Sequence, residues 1–527
     1  MKTRILWLLA LLVGFWANAQ TITVGGVQTG VWDADTVLVV ADVNVGDSLV
    51  VVPGTTVLFD GFYSITVSGE ASFVAQGTKD DSIRFTVADT TGLSIYNSPK
   101  GGWNGFHLEK AGRFLLDYCV LEYAKASDTT DMSGGAMRID LCEDVEISHS
   151  TLHYNRARVH GGAVSAENSH VVMTDCNVSD NKVFIDDNIY NRYGGALRFL
   201  KCDVELKVME FLRNIGDGSI GGAIGFDSCA VVIDRSVFAD NIGVNGGGLY
   251  LVRSNHLVGR LSNLLFENNI SRHFGGGLAF ADASPEVYNI TVTRNSSEGV
   301  NCNGVFFYQE CSPRLTNCII YGNYPNTEML GPADTIQMWL WTYNDFGPEF
   351  RNCLIEGGTK CITNPENIRA YEDIVETDPL FVDPENRDFR LSEESPCRDA
   401  GNAVVPEFLA EGFDLAGIRR VSNGRIDIGS YEYSAASVPV HFVSATNARL
   451  IGNPLNSESR IEFDHEMSGD MTVTVCSLDG RQVAQRIFEL GKSTVLGIGG
   501  LVERLAPGVY LIEVSCGGET FTLKAVR

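Results

Sequence analysis

The sequence predicts an all-β chain: a parallel β-helix followed by a small C-terminal β-sandwich. Three observations carry this. A pattern of glycine pair, apolar run, second apolar run and terminal Asn recurs seven times between Gly134 and Asn323. Its apolar positions alternate with period two, the period of strands. The composition, 55 glycines with 20% charged residues, favours tight turns and extended chain over helices.

The first residues are read as an address. Lys2 and Arg4 precede the apolar run from Ile5 to Trp16, and Ala17 and Ala19 frame a small-x-small cleavage site before Gln20. That run is too short to span a bilayer, so 1–19 reads as a secretory signal peptide. No later stretch has the length and apolarity of a membrane helix, so the expected product is secreted or held at the outer surface by other means. The net charge of −26 argues against a nucleic-acid partner, which needs a basic footprint. Thirteen cysteines in an exported chain leave at least one outside any internal pair.

Residues 20–110 read as an N-terminal cap with irregular coils. Short β runs at 36–40, 48–52 and 56–59 are broken by Asp, Gly and Pro-Gly turns. The first coil of a solenoid has no neighbour on one side and so must differ from the interior repeats. The stretches 51–59 and 102–107 resemble the opening coils of bacterial right-handed β-helix proteins.

Residues 111–375 are the coils proper. The terminal asparagines are Asn155, Asn181, Asn214, Asn241, Asn269, Asn295 and Asn323, spaced 26 to 28 residues apart with one interval of 33. Eight positions earlier stand Ile147, Met173, Leu206, Ile233, Leu261, Val287 and Leu315. Three positions earlier stand Leu152, Val178, Phe211, Phe238, Phe266, Val292 and Ile320. Stacked at the ~4.8 Å strand spacing, equal positions become ladders of like side chains, with two or three strands per coil. A leucine-rich repeat shares the period but needs a helix or comparable crossover where this sequence has a second β run. The glycine pairs suit sharp corners, and the Asn column suits a turn in which each amide bonds its neighbours. Phe211, Asn214, Gly221, Gly222, Ala223 and Ile224 resemble the repeats of the polymorphic membrane protein family, which implies a β-helical passenger.

Beyond Asn323 the period loosens. The order of motifs from Ile319 to Tyr433 includes the 377–391 run, Pro396-Cys397, Asp414, Arg419-Arg420 and the 426–433 run. It resembles the C-terminal end of choice-of-anchor Q domain proteins, exported β-helix surface proteins. That resemblance implies that 376–433 caps the helix. Residues 434–447 form a small-residue linker. The last segment, 448–527, alternates like the strands of a sandwich. Its Asn453, Pro454, Gly480, Arg481, Gly508, Val509, Tyr510 and Lys524 resemble a type IX secretion sorting domain. The implied partner is the type IX machinery, which reads this tail at the outer membrane.

No motif fixes catalytic chemistry: there is no zinc spacing, phosphate loop or Ser-His-Asp signature. His153 and His160 are read as surface residues. The long coil carries an extra turn with Lys182, Asp186, Asp187, Tyr190, Arg192 and Tyr193. Its carboxylates could hold Ca2+ and its Lys or Arg could serve as the base of a polysaccharide lyase. A solvated loop is the plainer reading, because no neighbouring coil repeats the carboxylates, and no cofactor is expected. With Ile336, Met338 and Leu340 facing inward, Trp339 and Trp341 project outward; with Tyr343 they form a candidate sugar platform, and Tyr190 and Tyr193 of the long coil are further glycan-contact candidates. A loop folded over the indoles is the plainer alternative. Cys202 and Cys229 fall in adjacent coils, as a disulfide or as reduced rungs, and Cys476 with Cys516 is a second candidate pair. The resulting expectation is a non-enzymatic adhesion or glycan-binding protein, with a lyase or hydrolase on the same scaffold as the alternative.

Overall fold

The structure is a computed structural model. It describes residues 20–434, 448–451 and 459–526, apart from short stretches at 96, 128–131, 185–191, 217, 258, 300–301, 325–335, 344, 405, 422–423, 478–481, 503–504, 506–508 and 517–518. The chain divides into two units that meet between residues 436 and 437, and each is described by itself.

The first unit is a parallel β-helix. Each coil contributes one strand to each of three parallel faces. The first face stacks Phe106–Glu109, Met137–Asp140, Val164–Glu167 and Leu197–Leu200 in register. It continues through Ile224–Asp227, Leu249–Val252, Leu278–Ala281, Val305–Gln309 and Met338–Thr342. The second face runs through Val145–Ser148, His170–Thr174 and Asp203–Lys207, and the third through Thr151–His153, Asn177–Ser179 and Glu210–Leu212. A fourth, shorter ribbon lies between the Asn column and the glycine pairs, where Lys125–Ala126, Arg156–Ala157, Lys182–Val183 and Ile215–Gly216 pair in turn. Residues 20–110, expected to be irregular, already wind in register. Thr36–Val51 pairs with Thr56–Phe59, Ile65–Ser68 and Ser72–Gln76, one strand for each face.

The inward columns are those expected from the period. Ile147, Met173, Leu206, Ile233, Leu261, Val287 and Leu315 are buried in one continuous core, as are Leu152, Val178, Phe211, Phe238, Phe266, Val292 and Ile320. Phe211, Phe238 and Phe266 stack with centroids 4.7 and 4.6 Å apart. The Asn column is buried and fully used. From Asn181 onward each Oδ1 accepts from both the backbone N–H and the Nδ2 of the Asn one coil earlier, at 2.9 to 3.1 Å, and Asn155 Oδ1 accepts the Ala124 N–H at 3.0 Å. Each Nδ2 also donates to a carbonyl of the preceding coil, as Asn241 does to Phe211 at 2.9 Å. Gln337 supplies the next rung, accepting from Asn323 at 2.8 Å and donating to Glu356 at 2.8 Å.

Three further corners per coil are turned by residues with positive φ that are mostly not glycine. One column holds Leu141, Asn168, Lys201, Ser228, Arg253 and Asp282; another holds Tyr154, Asp180, Arg213, Asp240, Asn268 and Arg294. The column between the second and third faces holds His149, Asp175, Val208, Arg235, Asn263, Asn289, Asn317 and Asn352. Such conformations cost roughly 1–3 kcal/mol each and persist because neighbouring rungs over-determine them. The residue after a corner often offers a small acceptor to the coil before it. Ser150 accepts from the Cys119 N–H at 2.9 Å, and the Cys229 sulfur accepts from the Cys202 N–H at 3.4 Å. Cys202 and Cys229 are thus thiol rungs rather than a disulfide.

Residues 376–433, expected as an end cap, instead run back along the outside of the coils as a strap. The strap includes a hairpin of Phe381–Asp383 with Asp388–Leu391 and a short helix Glu407–Ala410. Arg387 reaches Asp240, Arg420 reaches Asn263, and Gly429 reaches Asn317, so it spans several coils.

The second unit has five antiparallel strands: Ala448–Ile451, Arg460–Ser477, Gln482–Gly497, Val509–Cys516 and Glu519–Val526. They form one continuous sheet in which the long Arg460–Ser477 strand pairs with three others, around a core that includes Ile461, Val473, Leu496 and Ile512. The register places Cys516 opposite Met471 and Cys476 opposite Leu511. At ~3.3 Å per residue the two cysteines are about 16 Å apart along the strands, too far for the disulfide expected from the sequence.

Candidate functional site

The first face carries two outward columns that turn aromatic toward the C-terminal coils. One runs Gly225, Tyr250, Ala279, Phe306, Trp339; the other runs Asp227, Val252, Ala281, Tyr308, Trp341. Strand alternation explains the projection, since Met338 and Leu340 are buried in the core between the two indoles.

Trp339 and Trp341 have near-parallel rings, 20° apart with centroids 6.3 Å apart. Phe274 braces both edge-on, at 5.5 Å from Trp339 and 6.3 Å from Trp341, and itself stacks on Phe306 at 4.5 Å. Tyr308 meets Trp341 edge-on at 5.9 Å. Trp339 is half-buried, whereas Trp341 is 52% and Tyr343 55% exposed. Rigid, partly exposed rings can receive the apolar face of a flat ligand at little cost in side-chain entropy; the loop expected to fold over them, 325–335, lies outside the described residues.

Charged residues of both signs lie around the row. Glu310 and Asp345 are exposed beside it in sequence, and Arg272 in the neighbouring turn pairs with Glu298 at 3.1 Å. At the other end of the face, Asp227 is buried beneath Arg253, whose Nε donates to it at 2.8 Å, and Arg198 pairs with Glu167. Tyr193 covers Gly225, where an added Cβ would meet the Tyr193 Cβ at 3.0 Å. Its hydroxyl is held above the usual tyrosine range, chiefly by burial and then by Asp227.

Tyr193 and Trp339 therefore belong to one apolar cluster on this face, while Trp341 and Tyr343 form its exposed margin. Tyr190, Asp186 and Asp187 lie outside the described residues, as does the side chain of Arg192. Lys182 sits on the fourth ribbon, in register with Arg156 and Ile215, five coil steps from Trp339 or about 24 Å along the axis. Lys182 and the indoles are thus apart, whereas Tyr193, at the end of the same loop, packs on the cluster that Trp339 joins. Among the described residues no group of three or more His, Cys, Asp or Glu is arranged to hold a metal ion.

His153 is more engaged than a surface residue. It bonds the buried Glu122 at 2.9 Å, and Glu122 also takes Arg84 at 2.7 Å. Burial pushes the Glu122 carboxyl up, but His153 and Arg84 outweigh it and hold it at about 2. His160 accepts the Tyr193 N–H at 3.1 Å. Sequence reading missed the Glu122–His153 pairing because partners 31 residues apart meet only through the coil register. It also missed Phe306 and Tyr308, whose outward placement follows from the same alternation that placed the indoles, and Phe274, which reaches them from the end of the Ile270–Phe274 strand of the fourth ribbon.

In the tail, Asn453, Pro454, Gly480, Arg481 and Gly508 lie outside the described residues. Val509 and Tyr510 open the Val509–Cys516 strand, and Lys524 pairs with Leu511 in the last one. Residues 1–19, expected to be a signal peptide, also lie outside the described residues, and Gln20 is bound through its backbone N–H to Asp35 at 2.6 Å. Among the described residues no helix is long and apolar enough to cross a membrane.

The class these features define is a parallel β-helix with a lateral strap and an antiparallel tail unit. No family model matches the chain, and no curated protein matches it either.

Proposed function

We propose that the protein is exported, carried through the outer membrane by the type IX machinery, and binds glycans at the cell surface or in the medium. The supporting observation is the row of Trp339, Trp341 and Tyr343, with Trp341 more than half exposed on the Met338–Thr342 strand and Tyr343 more than half exposed just beyond it. The ligand class follows from charge. An aromatic row flanked by Glu310 and Asp345, on a chain of net charge −26, favours neutral sugar polymers over uronates. The basic-then-apolar N-terminal stretch with its small-x-small site, and the tail motifs, support the export route.

The test is a panel of neutral and uronate polysaccharides, read for retention of the full chain and for new unsaturated or reducing ends. Retention on a neutral polymer without cleavage is expected; turnover of any polymer would sink the binding-only reading. For the route, deletion of residues 508–527 is expected to leave the protein in the periplasm. Normal surface display of that truncation would refute the sorting assignment.

A further inference from the structure

The strap is held to the coils by a second asparagine column and two clusters of buried charge. Asn289 donates to the carbonyls of Asp427 and Gly429 at 2.8 and 3.2 Å. Asn317 accepts the Asn402 N–H at 2.7 Å, and Asn263 accepts Arg420 Nε at 2.8 Å. Thr291 accepts both the N–H and the hydroxyl of Ser430 at 3.0 Å.

In the lower cluster, Arg420 is fully buried among Asp414, Asp427 and Glu432, which are themselves buried. One guanidinium cannot neutralise three carboxylates, and charge excess inside a protein is relieved by protonation. The hydrogen bonds indicate where the proton resides. Asp414 accepts the Ile418 and Glu432 N–H groups at 2.6 and 2.8 Å, and Asp427 accepts those of Asp399 and Tyr433, both at 2.6 Å. These bonds favour the ionised forms. Glu432 is served less well: Oε1 takes Arg420 at 2.9 Å, but Oε2 has only a shared bond to the Asp427 N–H at 3.3 Å.

Among the described residues the other nearby cations are engaged elsewhere: Arg390 pairs with Asp388 at 2.5 Å, and Arg398 lies over the Tyr433 ring at 3.8 Å. The coils present neutral Asn263, Asn289, Thr291 and Asn317, while the strap adds Asp388, Arg390 and Asp399 nearby. In the upper cluster Arg387 serves both Asp240 and the buried Glu267, whose Oε2 lacks a partner. Arg294 of the coils donates to the Pro384 carbonyl at 2.5 Å.

We propose that residues 399–433 form a proton-coupled latch: the segment docks on the coil flank with Glu432 protonated and releases more readily as that proton is lost. Burial pushes Glu432 up to about 8 against the pull of Arg420, and pushes Glu267 up to about 7 against that of Arg387. Burial also raises Asp414 and Asp427. A carboxyl raised in the docked state contributes stability that is complete below its ordinary value of 4.5 and is lost as pH rises through about 8.

The test is hydrogen–deuterium exchange of the full chain from about pH 5 to 9, corrected for intrinsic rates. Peptides within 399–433 are expected to open more with rising pH, by up to about tenfold per unit for each proton held, while coil peptides from 137–180, remote from Glu267 and the strap, stay level. Glu432→Gln, the neutral isostere, is expected to keep the strap docked and to reduce the slope. A strap that tracks the coils at every pH would overturn the proposal. So would a Glu432→Gln strap already undocked at pH 5, or one that retains the wild-type slope.

Discussion

Asn241→Ala removes one rung from the middle of the buried ladder, and the cost can be worked from the bonds it leaves unmade. Asn241 Oδ1 is the acceptor for the backbone N–H and the Nδ2 of Asn214, both at 3.0 Å. Its Nδ2 donates to the Phe211 carbonyl at 2.9 Å and to Asn269 Oδ1 at 2.9 Å. After truncation Asn214 Nδ2 keeps the Val178 carbonyl, and Asn269 Oδ1 keeps the Asn241 N–H at 3.1 Å. The Asn214 N–H and the Phe211 carbonyl lose these partners. Two buried polar groups at roughly 1–3 kcal/mol each give a loss of about 4 kcal/mol, to which the small cavity adds. The control is Asn268→Gly at the exposed neighbouring position, where φ is 52° and glycine meets no backbone strain. Equilibrium denaturation of both variants is the assay. A midpoint for Asn241→Ala close to those of the wild type and Asn268→Gly would show that the ladder decorates the coils without holding them.

Two further outcomes bear on the same scaffold. Gly222→Ala places a Cβ 1.9 Å from the Gly247 carbonyl oxygen and 2.7 Å from the Ile242 carbonyl carbon. Backbone cannot yield as a side-chain tip can, so a destabilisation above about 3 kcal/mol is expected, read by thermal unfolding. At the N-terminal end, the depressed Glu122 carboxyl contributes stability above its ordinary value of 4.5 that is lost as pH falls through about 2. Glu122→Gln should therefore be less stable than wild type at neutral pH and converge with it in strong acid; an equal gap at both would contradict the His153–Glu122–Arg84 pairing.

The parts of this fold that were legible in the sequence are those where one residue type does one job. Only a small carboxamide both accepts and donates in the Asn column, and only glycine fits where another coil's backbone lies within 2 Å of its missing Cβ. Apolar alternation then placed the core and the outward indoles. The other corners were opaque because many residue types turn them. His149, Asp175, Val208 and Arg235 share one left-handed corner with Asn263 and Asn289, and the register supplies the constraint that their chemistry does not. Gln337 was hidden for a related reason: it reaches the ladder from a glycine position with a longer side chain. The strap was recognisable as a run of motifs, but its place was not. Asp414, Arg420, Asp427 and Glu432 show their purpose only when 157 residues of separation bring Arg420 onto Asn263. Cys476 and Cys516 looked like partners because each lies near a strand end, and the register puts them at opposite ends of the pairing.

The site rests on geometry that a single substitution addresses. Trp341 is half exposed and braced by Phe274 and Tyr308, so Trp341→Ala removes binding surface while leaving Met338 and Leu340 in the core. The decisive measurement is the affinity of the full chain and of Trp341→Ala for the best-retained neutral polysaccharide, with unfolding followed in parallel. A loss of about tenfold or more with an unchanged unfolding midpoint is expected, in line with the ~1.4 kcal/mol or more that a stacked aromatic contributes to binding. Equal affinity in the two proteins would contradict the glycan-binding face.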